Sequence, residues 1–176
     1  MDALGYLRLV HSMINQAGEY ALRAMVHLSR QTTNAPASAS DIAVSTKVPQ
    51  AYLQKILRIL TQNELLTAQR GMGGGFMLAK LPSAISVLDV LRACDAGPSR
   101  IEHCPLGISG HTELCSLHRL IDQQTAAVEL AFASTSIDDL VKDPTGLHPL
   151  CDPSQAPSTT VQLGIPSRAP KKDDAV

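Results

Sequence analysis

The chain has 176 residues, 44% hydrophobic and 18% charged, with a formal net charge of -1. This composition supplies apolar side chains for one core, and one domain with appendages is the natural count. No uncharged apolar run approaches the ~18 residues of a membrane span, and the opening MDALGYLRLVHSMI has too short an apolar run and no small-residue cleavage site for a secretory signal. The predicted location is therefore the cytoplasm, with no membrane partner.

The small net charge conceals an asymmetry. Residues 13–80 carry seven Lys/Arg (Arg23, Arg30, Lys47, Lys55, Arg58, Arg70, Lys80) against three acids (Glu19, Asp41, Glu64), a balance of +4. Residues 81–150 carry four Lys/Arg against nine acids, a balance of -5. The basic half is the candidate nucleic-acid face.

Residues 1–12 read as a flexible N-terminal extension, with Met13 as the functional start. From Asn15, a favoured N-cap type, QAGEYALRAMVHLSRQ places Ala17, Tyr20, Ala21, Ala24, Val26, His27 and Leu28 on a broad apolar face. His27 reads there as a packed core side chain, and Glu19 as a carboxylate favoured by the helix dipole. A polar, proline-containing loop follows over Thr32 to Ala39. Ser40 and Asp41 then start a short helix that breaks before Pro49, and proline at a first helical position predicts a second helix at once.

In that second helix Leu53, Ile56, Leu57 and Leu60 recur at i, i+3, i+4 and i+7, one apolar stripe for a core. Gln50, Ala51, Gln54, Lys55 and Arg58 fall opposite, with Tyr52 counted beside them. These are amides, small groups and cations without a carboxylate, the inventory that reads base edges and holds phosphates. Taken alone it is also what an ordinary solvated helix face looks like. Two helices meeting across a short turn predict a helix-turn-helix, whose second helix enters the major groove.

Next, LLTAQ and FMLAK flank RGMGGG. Glycines permit positive φ and close backbone approach, so the segment predicts a hairpin wing with Arg70 at the base of its tip and Gly73 and Gly74 near the duplex. Such a wing lays Arg70 along a phosphate or into a minor groove. A nucleotide cradle is disfavoured, because no Gly-Lys-Ser/Thr follows and no helix begins after the loop. The predicted DNA-binding domain spans residues 13–82.

Residues 83–143 are predicted as a helix, a Cys/His loop and a dimerisation helix. Ser86 opens SVLDVLRACD with Asp89 as its capping-box partner. After a loop dense in Gly, Pro, Cys and His, the stripe Leu117, Leu120, Ile121, Ala127, Val128, Leu130 and Ala131 predicts a long helix suited to a dimer seam. SIDDLVKD is a short last helix begun by Thr135 or Ser136. Residues 144–176 hold six of the eleven prolines and few large apolar side chains, and are predicted to be a disordered tail.

Within the loop, Cys104 and Cys115 are separated by ten residues and His118 follows Cys115 by three. Thiolate and imidazole are ligands for soft and borderline metals and for iron-sulfur clusters. The spacing matches no standard zinc finger, and free thiols are the plain alternative. Cys94, at a helix end, reads as a small core residue, and Cys151 in the tail lacks a fixed scaffold.

Five segments, GEYALRAMVHLS, VPQAYLQKILRIL, RGMGGGF with its trailing LAK, ISVLDVLRA and CSLH, together resemble the Rrf2 family of bacterial winged-helix transcription regulators over residues 13–143. The resemblance implies a mainly α fold with a small β-hairpin wing and a long dimerisation helix. It implies a homodimer bound to a pseudo-palindromic site on double-stranded DNA, probing it with the second helix and the wing. In cluster-bearing members three loop cysteines bind an iron-sulfur cluster. Cys104 matches the first of them and Cys115 the third, while LGISGHTEL has no middle cysteine, although His111 lies near the place. His118 falls where IscR-like members have a histidine ligand, and Glu19 where NsrR-like members have a carboxylate that reaches the cluster of the partner subunit.

The resemblance thus implies a repressor with a metal or cluster site from Cys104, Cys115, His118 and Glu19. The alternatives are a cluster-free regulator responding to thiol oxidation or a small effector, and a Cys-based redox or metal-handling enzyme. The enzyme is disfavoured because there is no CxxC, no base beside a nucleophile and only five aromatics (two Phe, three Tyr, no Trp) for a pocket. A winged-helix interaction module that has lost DNA binding is disfavoured by Lys55, Arg58 and Arg70.

Overall fold

A computed structural model describes residues 14–31, 35–71, 73–105 and 113–142. The predicted extension, the tail with Cys151, and His111 lie outside the described residues.

Helix α1 (Gln16–Ser29) begins at Asn15, whose side-chain oxygen accepts the Gly18 N–H at 3.0 Å. Its buried set is Gly18, Ala21, Leu22, Ala24, Met25, Val26 and Leu28. Leu22 and Met25 therefore carry packing that the predicted face assigned to Ala17, Tyr20 and His27, which are only half-buried. The reason is topological: α1 is packed by several elements at once, so its buried arc is wider than one stripe.

Helix α2 (Ala39–Thr46) is capped by Ser38, two residues before the predicted start at Ser40. The Ser38 hydroxyl accepts the Asp41 N–H at 3.2 Å and contacts the Asp41 carboxylate at 2.7 Å, so the two residues hold the first turn together. At the other end Lys47 takes a left-handed conformation, φ 54° and ψ 35°, with its N–H on the Ala43 and Val44 carbonyls. Val48 follows, buried, its N–H on the Ala43 carbonyl at 3.2 Å. This is the αL helix ending, with a buried residue fixing the exit angle.

Helix α3 (Gln50–Gln62) has Pro49 as the residue just before it rather than as its first helical residue. Proline's fixed φ suits either place, and the Pro49 carbonyl accepts the Leu53 N–H at 2.9 Å. Leu53, Ile56, Leu57 and Leu60 are all buried, as their spacing predicts.

Strands β1 (Leu66–Gln69) and β2 (Gly75–Leu78) pair antiparallel, with Leu66 opposite Leu78 and Gln69 opposite Gly75. Residue 37, in the segment predicted as plain loop, adds a further rung: Ala37 and Phe76 exchange backbone hydrogen bonds of 2.8 and 3.0 Å. A side chain at Gly75 would place its Cβ 2.2 Å from the Ala37 carbonyl oxygen, so this close approach requires glycine.

A 3-10 turn (Pro82–Ala84) leads into α4 (Val87–Ala93), which Ser86 and Asp89 cap reciprocally. Helix α5 (Ser116–Ser134) has no buried residue. Helix α6 (Ile137–Val141), with its own Ser136/Asp139 capping box, returns to the core of the first three helices. There the Ile137 N–H bonds the Ile85 carbonyl and the Val87 N–H bonds the Thr135 carbonyl, both at 2.9 Å. Ile85, Val87, Val90, Leu91 and Ile137 share one core with α1, α2 and α3.

Leu57 is fully buried at the centre of that core. Leu57→Ala is expected to lower unfolding stability by ~2–5 kcal/mol, read by chemical denaturation; a cost below ~1 kcal/mol, typical of surface sites, would contradict this packing.

Candidate nucleic-acid interface and thiol-imidazole site

The sequence-predicted residues of α3 emerge opposite its buried stripe as the consequence of one-sided burial. With Leu53, Ile56, Leu57 and Leu60 pulled into the core, Gln50, Ala51, Gln54, Lys55 and Arg58 are exposed along α3. Arg70 and Gly73 of the wing are exposed as well. Among the described residues no ion pair engages Lys55, Arg58 or Arg70.

Two predicted interface residues have structural work. Tyr52 is 39% exposed, and its ring meets that of Tyr20 edge-on, centroids 5.7 Å apart. Gly74 is half-buried; a Cβ there would lie 2.3 Å from the Gln69 carbonyl oxygen, while Gly71 and Gly73 take φ of 102° and 80°. The tip turn therefore needs these glycines for its own closure.

Arg23, which sequence reasoning left without a role, ties these parts together. Its guanidinium donates to the Thr46 carbonyl at the end of α2 (3.3 Å), lies over the Tyr20 ring at 5.8 Å and pairs with Glu19. A cation on the terminal carbonyls of α2 satisfies groups the helix cannot, and it opposes the negative end of the dipole. Glu19, expected from the resemblance as a ligand to the partner subunit's site, pairs within its own chain with Arg23. His27 is half-buried, and its pKa is lowered by burial first and by Arg30 second, as befits a packed histidine.

The second site lies at the start of α5. Cys104, Cys115 and His118 bring one ligand atom each within 4.8 Å of one another. His118 Nδ1 is 3.1 Å from the Cys115 sulfur and 3.5 Å from the Cys104 sulfur. Cys115 immediately precedes α5, and the backbone N–H of His118, then that of Leu117, hold its thiol below the usual range against partial desolvation. Cys94, by contrast, is packed at the core edge and pushed up to about 11 by burial and by Asp95.

A charge clamp brings Cys104 to this place. Arg100 forks onto Asp122 with bonds of 2.7 and 2.6 Å, and the Ile101 N–H donates to the same carboxylate at 3.0 Å. Arg92 pairs with Glu129, which also lies 3.8 Å from Arg100. Residues 100–101 are thereby fixed on α5 one turn beyond His118, and the chain carries Cys104 back toward the helix start. No local pattern announced this; the only signal was opposite charge at residues 22 apart.

A family model described as "Rrf2: Iron-dependent Transcriptional regulator" matches residues 14–143. The chain belongs to the Rrf2 family. IscR of Xenorhabdus nematophila is 26% identical over 135 residues, covering 74% of this chain and 79% of that relative. Over a shorter alignment, two Mycobacterium tuberculosis relatives are 35% identical, and this chain spans 55% of their length. Among solved structures, CymR, the global cysteine regulator of B. subtilis, superposes with a TM-score of 0.63 at 26% identity over 73% of this chain and 95% of that one. T. potens IscR shares the fold with a TM-score of 0.61 at 24% identity, covering 74% and 86%. The relatives and neighbours are transcriptional regulators, not enzymes, and the family acts on DNA. Among the described residues no helix is long and apolar enough to cross a membrane.

Iron-sulfur clusters rest on four protein ligands, whereas a single chain brings three donors together among the described residues and the sequence has no middle cysteine. The fourth donor that the resemblance implies, Glu19, would come from the partner subunit.

Arg100, followed by the Ile101 N–H, holds the Asp122 carboxyl down to about 2. A carboxyl depressed on folding contributes stability above its ordinary pKa of ~3.9 and loses it as pH falls through the folded value. The carboxyl carbon resonance of Asp122 is expected to titrate near 2, and Asp122→Asn to speed amide exchange at Ile101; a midpoint near 4 would show that the clamp does not form.

Proposed function

We propose that this Rrf2 regulator binds a pseudo-palindromic duplex as a homodimer in the cytoplasm and represses by occupying the promoter. In this reading Gln50, Ala51 and Gln54 address base edges in the major groove. Lys55, Arg58 and Arg70 hold phosphates, with Arg70 placed by the glycine tip at the flanking backbone. The observation that carries it is the exposed, carboxylate-free polar face of α3, backed by the charge asymmetry of the chain. Tyr52 and Gly74 serve by shape, holding the helix and the wing tip in place.

Dimerisation is assigned to α5, which exposes Leu117, Leu120, Ile121 and Leu130 at 43–70% of their surface. A run of large apolar side chains on one unburied helix favours a partner of the same kind. The signal is assigned to Cys104, Cys115 and His118, because they sit where α5 begins. A ligand gained or lost there changes how the Cys104 segment is held on α5, and hence the relation of the two reading heads. Half-sites lie about 34 Å apart or multiples of it, so a small rotation loses several contacts together. The depressed Cys115 thiol favours a second reading, in which oxidation of that sulfur is the signal.

Binding of the full chain to DNA from its own promoter region, followed against salt, tests the interface. Lys55→Ala, Arg58→Ala and Arg70→Ala are each expected to weaken binding and to reduce the log–log salt slope by ~0.9. Gln54→Ala is expected to cost ~1–3 kcal/mol of discrimination at one base position; an unchanged slope across the three cations would remove them from the interface. Leu120→Asp with Ile121→Asp is expected to convert a dimer to a monomer in sedimentation with helicity unchanged, and a persisting dimer would move the seam elsewhere.

A further inference from the structure

We propose that Cys104, Cys115 and His118 hold a single thiophilic divalent ion of the zinc type, one per chain, rather than a multi-iron cluster. The inference rests on the reading of this group as the effector site and names the ligand chemistry that the site takes.

The distances favour one coordination sphere. Bonds of about 2.3 Å to sulfur and about 2.0 Å to nitrogen at a tetrahedral angle separate sulfur from nitrogen by about 3.5 Å and sulfur from sulfur by about 3.8 Å. The sulfur–nitrogen separations here are 3.1 and 3.5 Å, and all three ligand atoms lie within 4.8 Å. A cluster distributes its ligands over two or more irons and so spreads them, whereas here both sulfurs close on the same imidazole nitrogen. Hydrogen bonds from one thiol to Nδ1 and between the Cys104 and Cys115 sulfurs would hold the group together without a metal. A cation at the centre also accounts for all three.

Charge and position agree with this assignment. Two thiolates and a neutral imidazole neutralise a dication, and the N-terminus of α5 supplies N–H groups that favour thiolate at Cys115. The Arg100–Asp122 clamp holds the Cys104 segment from outside the sphere, limiting the conformational entropy lost on binding. Three protein ligands leave a fourth place for water or a small thiolate, the arrangement of an exchangeable rather than a purely structural site. On binding, each thiol that is still protonated releases its proton to solvent, and His118 keeps its proton on Nε2.

The test uses the reduced full-length chain, prepared anaerobically, stripped with a chelator and titrated with Co²⁺ as the probe, with Zn²⁺ as competitor. The expected result is saturation at one ion per chain, with thiolate-to-cobalt charge transfer, the intense visible bands of a tetrahedral site, and displacement by Zn²⁺. Cys104→Ser, Cys115→Ser and His118→Ala are each expected to weaken binding by more than the ~10–100-fold loss that outer-sphere changes give, while Cys94→Ser leaves it unchanged and circular dichroism stays the same throughout. The pale spectrum of octahedral cobalt, affinity unchanged in His118→Ala, or assembly of stoichiometric iron with acid-labile sulfide on anaerobic reconstitution would overturn the assignment. Salt-dependent DNA binding by the metal-stripped protein reports on the regulator reading by itself, so the two ideas fail separately.

Discussion

The burial of one side of α3 is the constraint from which the rest follows. Leu53, Ile56, Leu57 and Leu60 are at most 2% exposed and anchor the helix against α1. Four such side chains withdrawn from water contribute on the order of 1.5–3 kcal/mol each, which fixes the rotation of the helix about its own axis. Once that rotation is fixed, Gln50, Gln54, Lys55 and Arg58 have no orientation available except outward. The direction of the amides and cations is therefore a by-product of core packing by three leucines and an isoleucine.

Aiming also requires that the entry to α3 be rigid, and the chain achieves this with polar devices. Lys47 in its left-handed turn, buried Val48 and Pro49 make a connection of three residues with little freedom. Arg23 adds a cross-link from the neighbouring helix to the last carbonyl of α2, and Tyr20 braces Tyr52 at the start of α3. Most of these contacts are only partly buried. Each contributes modestly to stability, and their value lies in orientation.

The second half of the molecule is built on a different principle. Helix α5 has no fully buried residue; Phe132 near its end packs against the core, and Arg92, Arg100, Asp122 and Glu129 tie its middle to its own chain. The part of the helix held by ion pairs is easier to reposition than the part packed on the core. Its ends are nevertheless anchored to important places. One end carries the thiol-imidazole group, and the other passes through Thr135 and Ile137 into the core that carries α3. His118 is thus linked through α5 and the turn after it to the core that holds α3.

The local features of this protein were legible in the amino-acid order because they depend on residues within one helical turn. Asn15 caps α1, Ser86 and Asp89 close a capping box, and the i, i+3, i+4, i+7 leucines and isoleucine define the face of α3. Cys115 and His118 belong to the same class, since three residues along a helix start place both on one side. Tertiary structure alone decided the pairings between distant residues: Ala37 with Phe76, Arg92 with Glu129, Arg100 with Asp122 and, through that clamp, Cys104 with His118. It also decided that Leu22 and Met25 rather than Tyr20 and His27 fill the core beside α1, and that Glu19 answers Arg23. Spacing reports which side chains share a face, but which face meets which neighbour depends on how the whole chain closes, and that choice is made by packing many weak contacts at once.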